Sequence, residues 1–240
     1  MADSPSKHHD TARANRLLAT LPGDAYERLL PELEIIELRL RDTLYEANQP
    51  IRHVHFPLAG VVSMVATLQD GGTVEVGTIG QEGMVGLPAF LGAETAPLAT
   101  FAQVPGAAAR MRVETLRAEI GAGGPLVAVL HRYAQAFFTQ LSQSVACNRL
   151  HSLPERLARW MLMTQDRAGD EFAITHEFMG QMLGVHRPAV TGALLELQRA
   201  GALDYGRGQM RVLDRAVLED AACECYGVVR SEYDRLIGGT

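Results

Sequence analysis

Residues 174–197, Ile-Thr-His-Glu-Phe-Met-Gly-Gln-Met-Leu-Gly-Val-His-Arg-Pro-Ala-Val-Thr-Gly-Ala-Leu-Leu-Glu-Leu, hold the side chains best spaced to meet a nucleic acid. Thr175 can cap a short helix, and Glu177 suits the positive end of its dipole. Phe178, Met182 and Leu183 would form the buried face of that helix. Gly184 falls where a helix ends with positive φ. A second helix is expected to start after His186, with Pro188 in its first turn and Val190, Leu194 and Leu197 facing inward. Two short helices joined by a three-residue turn bearing glycine make a helix-turn-helix. Residues 201–205, 206–208 and 209–213 then read as strand, turn and strand, which adds a wing carrying Arg207 and Arg211. The outward face of the second helix is Pro188, Gly192, Leu195 and Arg199, with Arg187 and Thr191 at its margins. An arginine can fork onto guanine, and Leu195 or the Thr191 methyl can touch a thymine methyl. Pro188 and Gly192 offer no side-chain hydrogen bond. Few direct base contacts are therefore expected, led by Arg187, with much selectivity left to backbone contacts and DNA deformability. Thr175 and His186, at the two helix starts, complete the expected DNA-binding set of Thr175, His186, Arg187, Thr191, Leu195, Arg199, Arg207 and Arg211. Residues 154–214 hold seven arginines against eight acids, so affinity must come from placement, with a salt slope set by few phosphates.

Other reactive side chains carry less. The three cysteines, Cys147, Cys223 and Cys225, cannot form a disulfide framework and point to the reducing cytosol. On one continuous helix Cys223 and Cys225 would point to roughly opposite sides and could not chelate one metal. Cys225 is then expected in a packed stripe and Cys223 free. His53-Val54-His55 on a strand would face the same way, as in the metal sites of cupin-like β-barrel enzymes. No acid follows closely, and the next histidine is His131. His8-His9 lies in a polar end and reads as incidental. No P-loop, nucleophile elbow or H-E-x-x-H occurs. The expectation is a protein that is not an enzyme, with no metal and no cofactor. The competing reading is a β-roll small-molecule or metal-binding enzyme whose C-terminal helical module serves oligomerisation.

The elements that would position these residues follow from patterning. The chain has 240 residues, 47% hydrophobic and 21% charged, with net charge −6: an ordinary globular mixture that is not basic throughout. No run of eighteen uncharged apolar residues occurs, so no transmembrane helix and no membrane partner are expected. The polar start has no apolar h-region, so a cytoplasmic location is expected. Twelve of the 23 glycines fall between Gly60 and Gly124, punctuating short β-rich runs, and Asp70-Gly71-Gly72 is a strong hairpin signal. Many short strands and no useful helix between them suggest an antiparallel roll or sandwich. After Gly124 the period changes. Val127, Leu130, Ala134, Phe137, Leu141 and Val145 recur at steps of three and four on one face of a long helix, flanked by Leu126, Tyr133 and Phe138. Such a helix is expected to cover the roll and to pair with a second copy through that stripe. A second helix opens at Pro154 and stops in residues 165–170. The tail from Ala216 to Leu236 reads as one helix through Leu218, Ala222, Cys225, Val229, Tyr233 and Leu236. The fold class is α+β: an N-terminal antiparallel β-roll of jelly-roll type, a long dimerisation helix and a C-terminal winged helix. Its expected parts are a flexible 1–12, a sensor roll 13–124, the dimerisation helix 125–151 and the DNA-binding domain 152–240.

In that order, these parts resemble the Crp/Fnr family of bacterial transcription regulators. The resemblance runs from about Asn15 to Leu213. It is most specific in residues 174–197 and in residues 77–91, Gly-Thr-Ile-Gly-Gln-Glu-Gly-Met-Val-Gly-Leu-Pro-Ala-Phe-Leu, which look like the lead into the family's phosphate-binding cassette. The resemblance implies a homodimer on a two-fold symmetric DNA site, with a small effector in a cyclic-nucleotide-binding-like roll near Gly83, Met84, Val85, Gly86, Leu98 and Ala99. Activation of transcription would add RNA polymerase as a partner. Cyclic-nucleotide binders of the family carry a glutamate after the cassette glycine and an arginine further on. Here Met84 follows Gly83, and residues 93–99 hold no basic residue. An anionic phosphate without a cationic partner is costly to bury, so cyclic AMP is not expected to bind in the usual mode. The pocket is expected to be reshaped around Pro97, for another effector or none, and an effector-free roll could instead dock a partner protein. The family's iron–sulfur branch needs four cysteines, several near the N-terminus, and does not fit three that begin at Cys147.

Overall fold

A computed structural model describes residues 11–238. Of the expected flexible 1–12, residues 1–10, with the His8-His9 pair, lie outside the described residues, whereas Thr11 is exposed and Ala12 fully buried. In chain order the elements are α1 (Arg16–Ala19), α2 (Gly23–Leu29), a 3-10 turn (Leu30–Glu32), β1 (Glu34–Leu38), β2 (Thr43–Tyr45), β3 (His53–Thr67), β4 (Thr73–Ile79), α3 (Leu87–Phe90), β5 (Ala99–Arg112), α4 (Val113–Gly121) and α5 (Pro125–Leu150). There follow α6 (Leu153–Ala168), β6 (Glu171–Ala173), α7 (His176–Leu183), α8 (Arg187–Arg199), β7 (Leu203–Gly206), β8 (Gln209–Val212), α9 (Arg215–Ala221) and α10 (Cys225–Ile237). No helix among the described residues is long and apolar enough to cross a membrane.

The described chain divides into two compact units. The first holds residues 11–64, 79–138 and 233–238, and the second holds residues 65–78 and 139–232. In the larger sheet, β1 and β2 each pair with β5 in antiparallel fashion, and the strand order is β1-β5-β3-β4. The short β-rich runs 52–56 and 60–68 join into one long strand, β3, and the runs 99–104 and 107–113 into another, β5. Glycines let these strands bend against each other. A Cβ on Gly106 would stand 2.1 Å from the Ala59 carbonyl oxygen, and one on Gly60 (φ 84°) 2.6 Å from that of Val104. The hairpin at Asp70-Gly71-Gly72 joins β3 to β4. Leu68 donates its N–H to the Gly72 carbonyl, and Asp70 Oδ1 accepts the Gly72 N–H. The core of this unit includes Phe56, Met84, Met111, Leu116, Leu130 and Tyr133, each at most 1% exposed.

The second unit is built on α6, α7 and α8 with the small sheet β6-β8-β7. Ser152 and Glu155 form a capping box that starts α6, and Gly169 (φ 83°) ends it. Leu157, Met161 and Leu162 from α6 are fully buried, as are Met179, Val190 and Met210, so helices and sheet share one apolar centre. The tail differs from the single helix expected. Asp214 caps α9, and Ala222 then adopts an extended conformation (ψ 155°), so α9 and α10 are separate helices with a turn at Cys223-Glu224. No glycine or proline marks that break.

Candidate nucleic-acid interface

The geometry of residues 174–197 begins at Thr175, whose Oγ1 accepts the Phe178 N–H at 3.1 Å and caps α7. Gly184 (φ 66°) closes α7 in the left-handed region, and Val185 and His186 complete the turn into α8. Gly180 is also required there. A Cβ at that position would sit 2.7 Å from the Val185 carbonyl oxygen, so only hydrogen lets α7 approach the turn. The buried face of α7 is Met179, Met182 and Leu183, with Phe178 half-buried, one position off the expected set. On α8, Val190, Ala193, Leu194 and Leu197 turn inward.

The opposite side of α8 is open. Arg187, Pro188, Gly192 and Arg199 are exposed, Leu195 is 45% exposed, and a Cβ on Gly192 would meet nothing within 4 Å. His186, the N-cap of α8, is exposed and makes no side-chain cap bond. Thr191 behaves differently from these. Its hydroxyl donates to the Arg187 carbonyl at 3.1 Å and lies 2.8 Å from His176 Nδ1. That hydroxyl is therefore engaged within the chain. His176, which the sequence does not single out, ties the start of α7 to the second turn of α8 and packs on the Tyr205 ring at 4.5 Å. Burial, and then the Arg187 charge, hold its pKa below the usual histidine value, so both favour the neutral ring. Fifteen residues separate His176 from Thr191, and no spacing rule links them.

The wing is a two-residue turn, Arg207-Gly208, with φ of 55° and 77°. Both positive values suit the twist of a tight hairpin. Arg207 projects from its tip, exposed. Arg211 lies back on β8 and pairs with Glu171 of β6 at 3.1 Å, so the two wing arginines are not equivalent. No pattern in the sequence marks β6.

In the roll, the residues of the expected effector site form a backbone-rich corner. His55 and Val85 exchange N–H···O bonds of 3.0 and 2.8 Å, and Gly86 (φ 99°) begins α3. Met84 and Val85 are fully buried, whereas Leu98 and Ala99 are half-buried. Against Gly83 stands Tyr133 of α5. A Cβ on Gly83 would lie 2.8 Å from that ring, whose hydroxyl donates to the Met84 carbonyl at 3.0 Å. Asn15 Nδ2 donates to the carbonyls of Gly83 and Pro57. His53 and His55 have ring centroids 6.4 Å apart. His55 is 5% exposed, and burial pushes its pKa down to about 3.

Two expectations are corrected here. In the expected dimerisation stripe, Leu130 (0%) and Phe137 (4%) are buried within their own chain, Phe137 stacking on Tyr133 at 5.7 Å. The helix is apolar on two sides, and the roll takes the side that includes them. Phe138 (65% exposed) and Val145 (73%) stand outside, with Val127, Ala134 and Leu141 half-buried between them. The second correction concerns Cys223 and Cys225. They do not share a continuous helix, because Cys223 lies in the turn before α10 and Cys225 is its first residue. Both are buried, and burial pushes the Cys225 thiol up to about 12, so it is no nucleophile at neutral pH.

Two family models match: the cyclic nucleotide-binding domain over residues 35–121, and the Crp-like helix-turn-helix domain over residues 155–221. Solved structures similar to this chain include FixK2 from Bradyrhizobium japonicum, at 18% identity over 80% of this chain and 98% of that one (TM-score 0.68). TTHB099, a CRP-family transcriptional regulator from Thermus thermophilus, is similar at 18% identity over 78% and 96% (TM-score 0.65). The global regulator CLP of Xanthomonas campestris is similar at 14% identity over 80% and 100% (TM-score 0.65). No curated protein matches the chain. A sensor-type roll followed by a winged helix-turn-helix defines a DNA-binding transcription regulator. The chain belongs to the Crp/Fnr family of such regulators.

Proposed function

We propose that the protein acts as a homodimer on a two-fold symmetric DNA site, inserting α8 of each protomer into successive major grooves. The observation that carries this reading is the open outer face of α8, where Arg187, Pro188, Gly192 and Leu195 stand clear while the opposite face is buried. Arg187 at the helix start reads a base. Thr175, His186, Arg199 and the wing-tip Arg207 meet phosphates, and Leu195 with the Thr191 methyl makes apolar contact. Arg211, paired with Glu171, contributes least. Pairing of protomers runs along α5 through Val127, Ala134, Phe138, Leu141 and Val145, at steps of seven, four, three and four and exposed or half-exposed in the single chain.

The roll is a sensor that does not take cyclic AMP in the family's usual mode. Tyr133 occupies the Gly83 side of the cassette, and residues 93–99 supply no cation for a phosphate. CLP, which shares this fold, is described as c-di-GMP-responsive, which supports an effector of another kind. RNA polymerase is the further partner of an activator, and the site of action is the cytoplasm. Catalysis has no part in this reading.

The two arginines separate base reading from phosphate contact. Arg187→Ala should cost about 1–3 kcal/mol on the target half-site and little on scrambled DNA. Arg207→Ala should weaken both alike and lower the salt slope by about one per protomer. Fluorescence anisotropy on both duplexes over a salt series measures this. Equal loss on both duplexes for Arg187→Ala would remove its base-reading role.

A further inference from the structure

The second unit brings Cys147, His151, Cys223 and Cys225 together, with one donor atom from each lying within 4.8 Å of all the others. They come from two chain corners. Cys147 and His151 are one helical turn apart at the end of α5, where the His151 N–H donates to the Cys147 carbonyl at 3.2 Å, so both side chains share a face. Cys223 and Cys225 flank the turn into α10, and the Tyr226 N–H donates to the Cys223 carbonyl at 3.2 Å. Cys147, Cys223 and Cys225 are each at most 5% exposed, and the His151 side chain is 17% exposed.

We propose that these four residues form a binding site for a single zinc-like divalent cation, held by three thiolates and one imidazole. The spacing fits one ion. With Zn–S of about 2.3 Å and Zn–N of about 2.0–2.1 Å, a tetrahedron has S···S edges of about 3.8 Å and S···N edges of about 3.5 Å. Here Cys147 Sγ lies 3.4 Å from Cys223 Sγ, and Cys225 Sγ lies 3.6 Å from His151 Nδ1. A cluster of several irons spreads its cysteines further apart than a single ion does. The outer groups are also suited. His151 presents Nδ1 to the thiols and Nε2 to the Glu224 carboxylate at 3.3 Å, the pairing that fixes ring orientation in metal sites. Glu224 stands between the two cysteines in sequence and faces the imidazole from outside, 76% exposed. Three thiolates and a dication leave one net negative charge. Arg159, 7% exposed and with its Nε lacking a hydrogen-bond partner among the described residues, interacts electrostatically with both Cys147 and Cys225 and offsets it. Loading the ion transfers the thiol protons to solvent, forms three metal–sulfur bonds and one metal–nitrogen bond, and involves no redox change. The ion would fasten the α5–α6 corner to the α9–α10 turn.

The test uses the untagged full chain, prepared without chelator, for elemental analysis. The metal-free protein is then titrated with Co2+, whose spectrum reports ligand type. The expected result is one zinc per chain, with one Co2+ giving strong tetrahedral d–d bands and thiolate-to-cobalt charge transfer. Cys223→Ser should reduce bound metal at least tenfold. His151→Gln, at a partly exposed position that leaves the three buried thiols in place, should retain the charge transfer but shift the d–d bands. Absence of stoichiometric metal and of the tetrahedral spectrum in the unsubstituted protein would overturn the proposal. So would a His151→Gln spectrum identical to it, or a resting disulfide between Cys147 and Cys223.

Discussion

His55 shows how a residue can be set by its strand and not by its chemistry. Period two puts it on the same side as His53, the arrangement of a ligand pair, yet β3 carries it into the roll where burial keeps it neutral. Its depressed pKa has a calculable consequence. An unfolded His55 protonates near pH 6.5, whereas the folded one resists until about pH 3. The unfolded state therefore binds more protons across that window. The contribution of neutral His55 is fully present above pH 6.5 and is lost as pH falls, with a limiting slope of about 1.4 kcal/mol per pH unit. His55→Gln should flatten stability against pH between 6.5 and 4, measured by urea unfolding at several pH values. An unchanged slope would mean that His55 titrates alike in both states. At this same scale, Arg187 and Arg207 are readable from the sequence, because helix-start and hairpin-turn signals are local. The Thr191–His176 contact and the Arg211–Glu171 pair are not, because each depends on tertiary neighbours.

Among elements, those marked by caps and glycines are the most legible. Thr175, Gly184 and Pro188 bound α7 and α8, and Asp70-Gly71-Gly72 turns β3 into β4. Failures occur where conformation changes without such a marker. Ala222 leaves helical φ/ψ although its type favours a helix, so the pattern merges α9 with α10 and hides the cysteine cluster at their junction. The Cys147-x-x-x-His151 spacing is visible, but its partners lie more than seventy residues away. On α5 the difficulty is of another kind. Periodicity identifies apolar faces but not which of two the same chain will cover. Leu130 and Phe137 are taken by the roll, which leaves Phe138 at the centre of the outer seam. Phe138→Glu should convert a dimer to a monomer in analytical ultracentrifugation while leaving helical content unchanged, since the ring is 65% exposed in the single chain, and should remove any dependence of Tm on protein concentration. A variant that remains dimeric would move the protomer contact elsewhere.

For the whole molecule, the described chain has two compact units. The roll holds a cassette backbone of the family's shape, with Tyr133 against Gly83 and no cation in residues 93–99, while the winged unit offers α8 and an exposed wing-tip arginine, Arg207. With seven arginines balanced by eight acids in residues 154–214, one copy of such a module is expected to bind DNA weakly. In the proposed dimer, two copies held along α5 would raise affinity by making the second contact intramolecular. A paired arrangement also fixes the spacing of half-sites. Selection of duplexes from a random pool by the purified protein tests this most directly. The predicted outcome is an inverted repeat with half-sites about 10–10.5 base pairs apart, or a multiple of that, bound by two chains per duplex. An enriched site without two-fold symmetry bound by one chain, or no enrichment over random sequence, would contradict it.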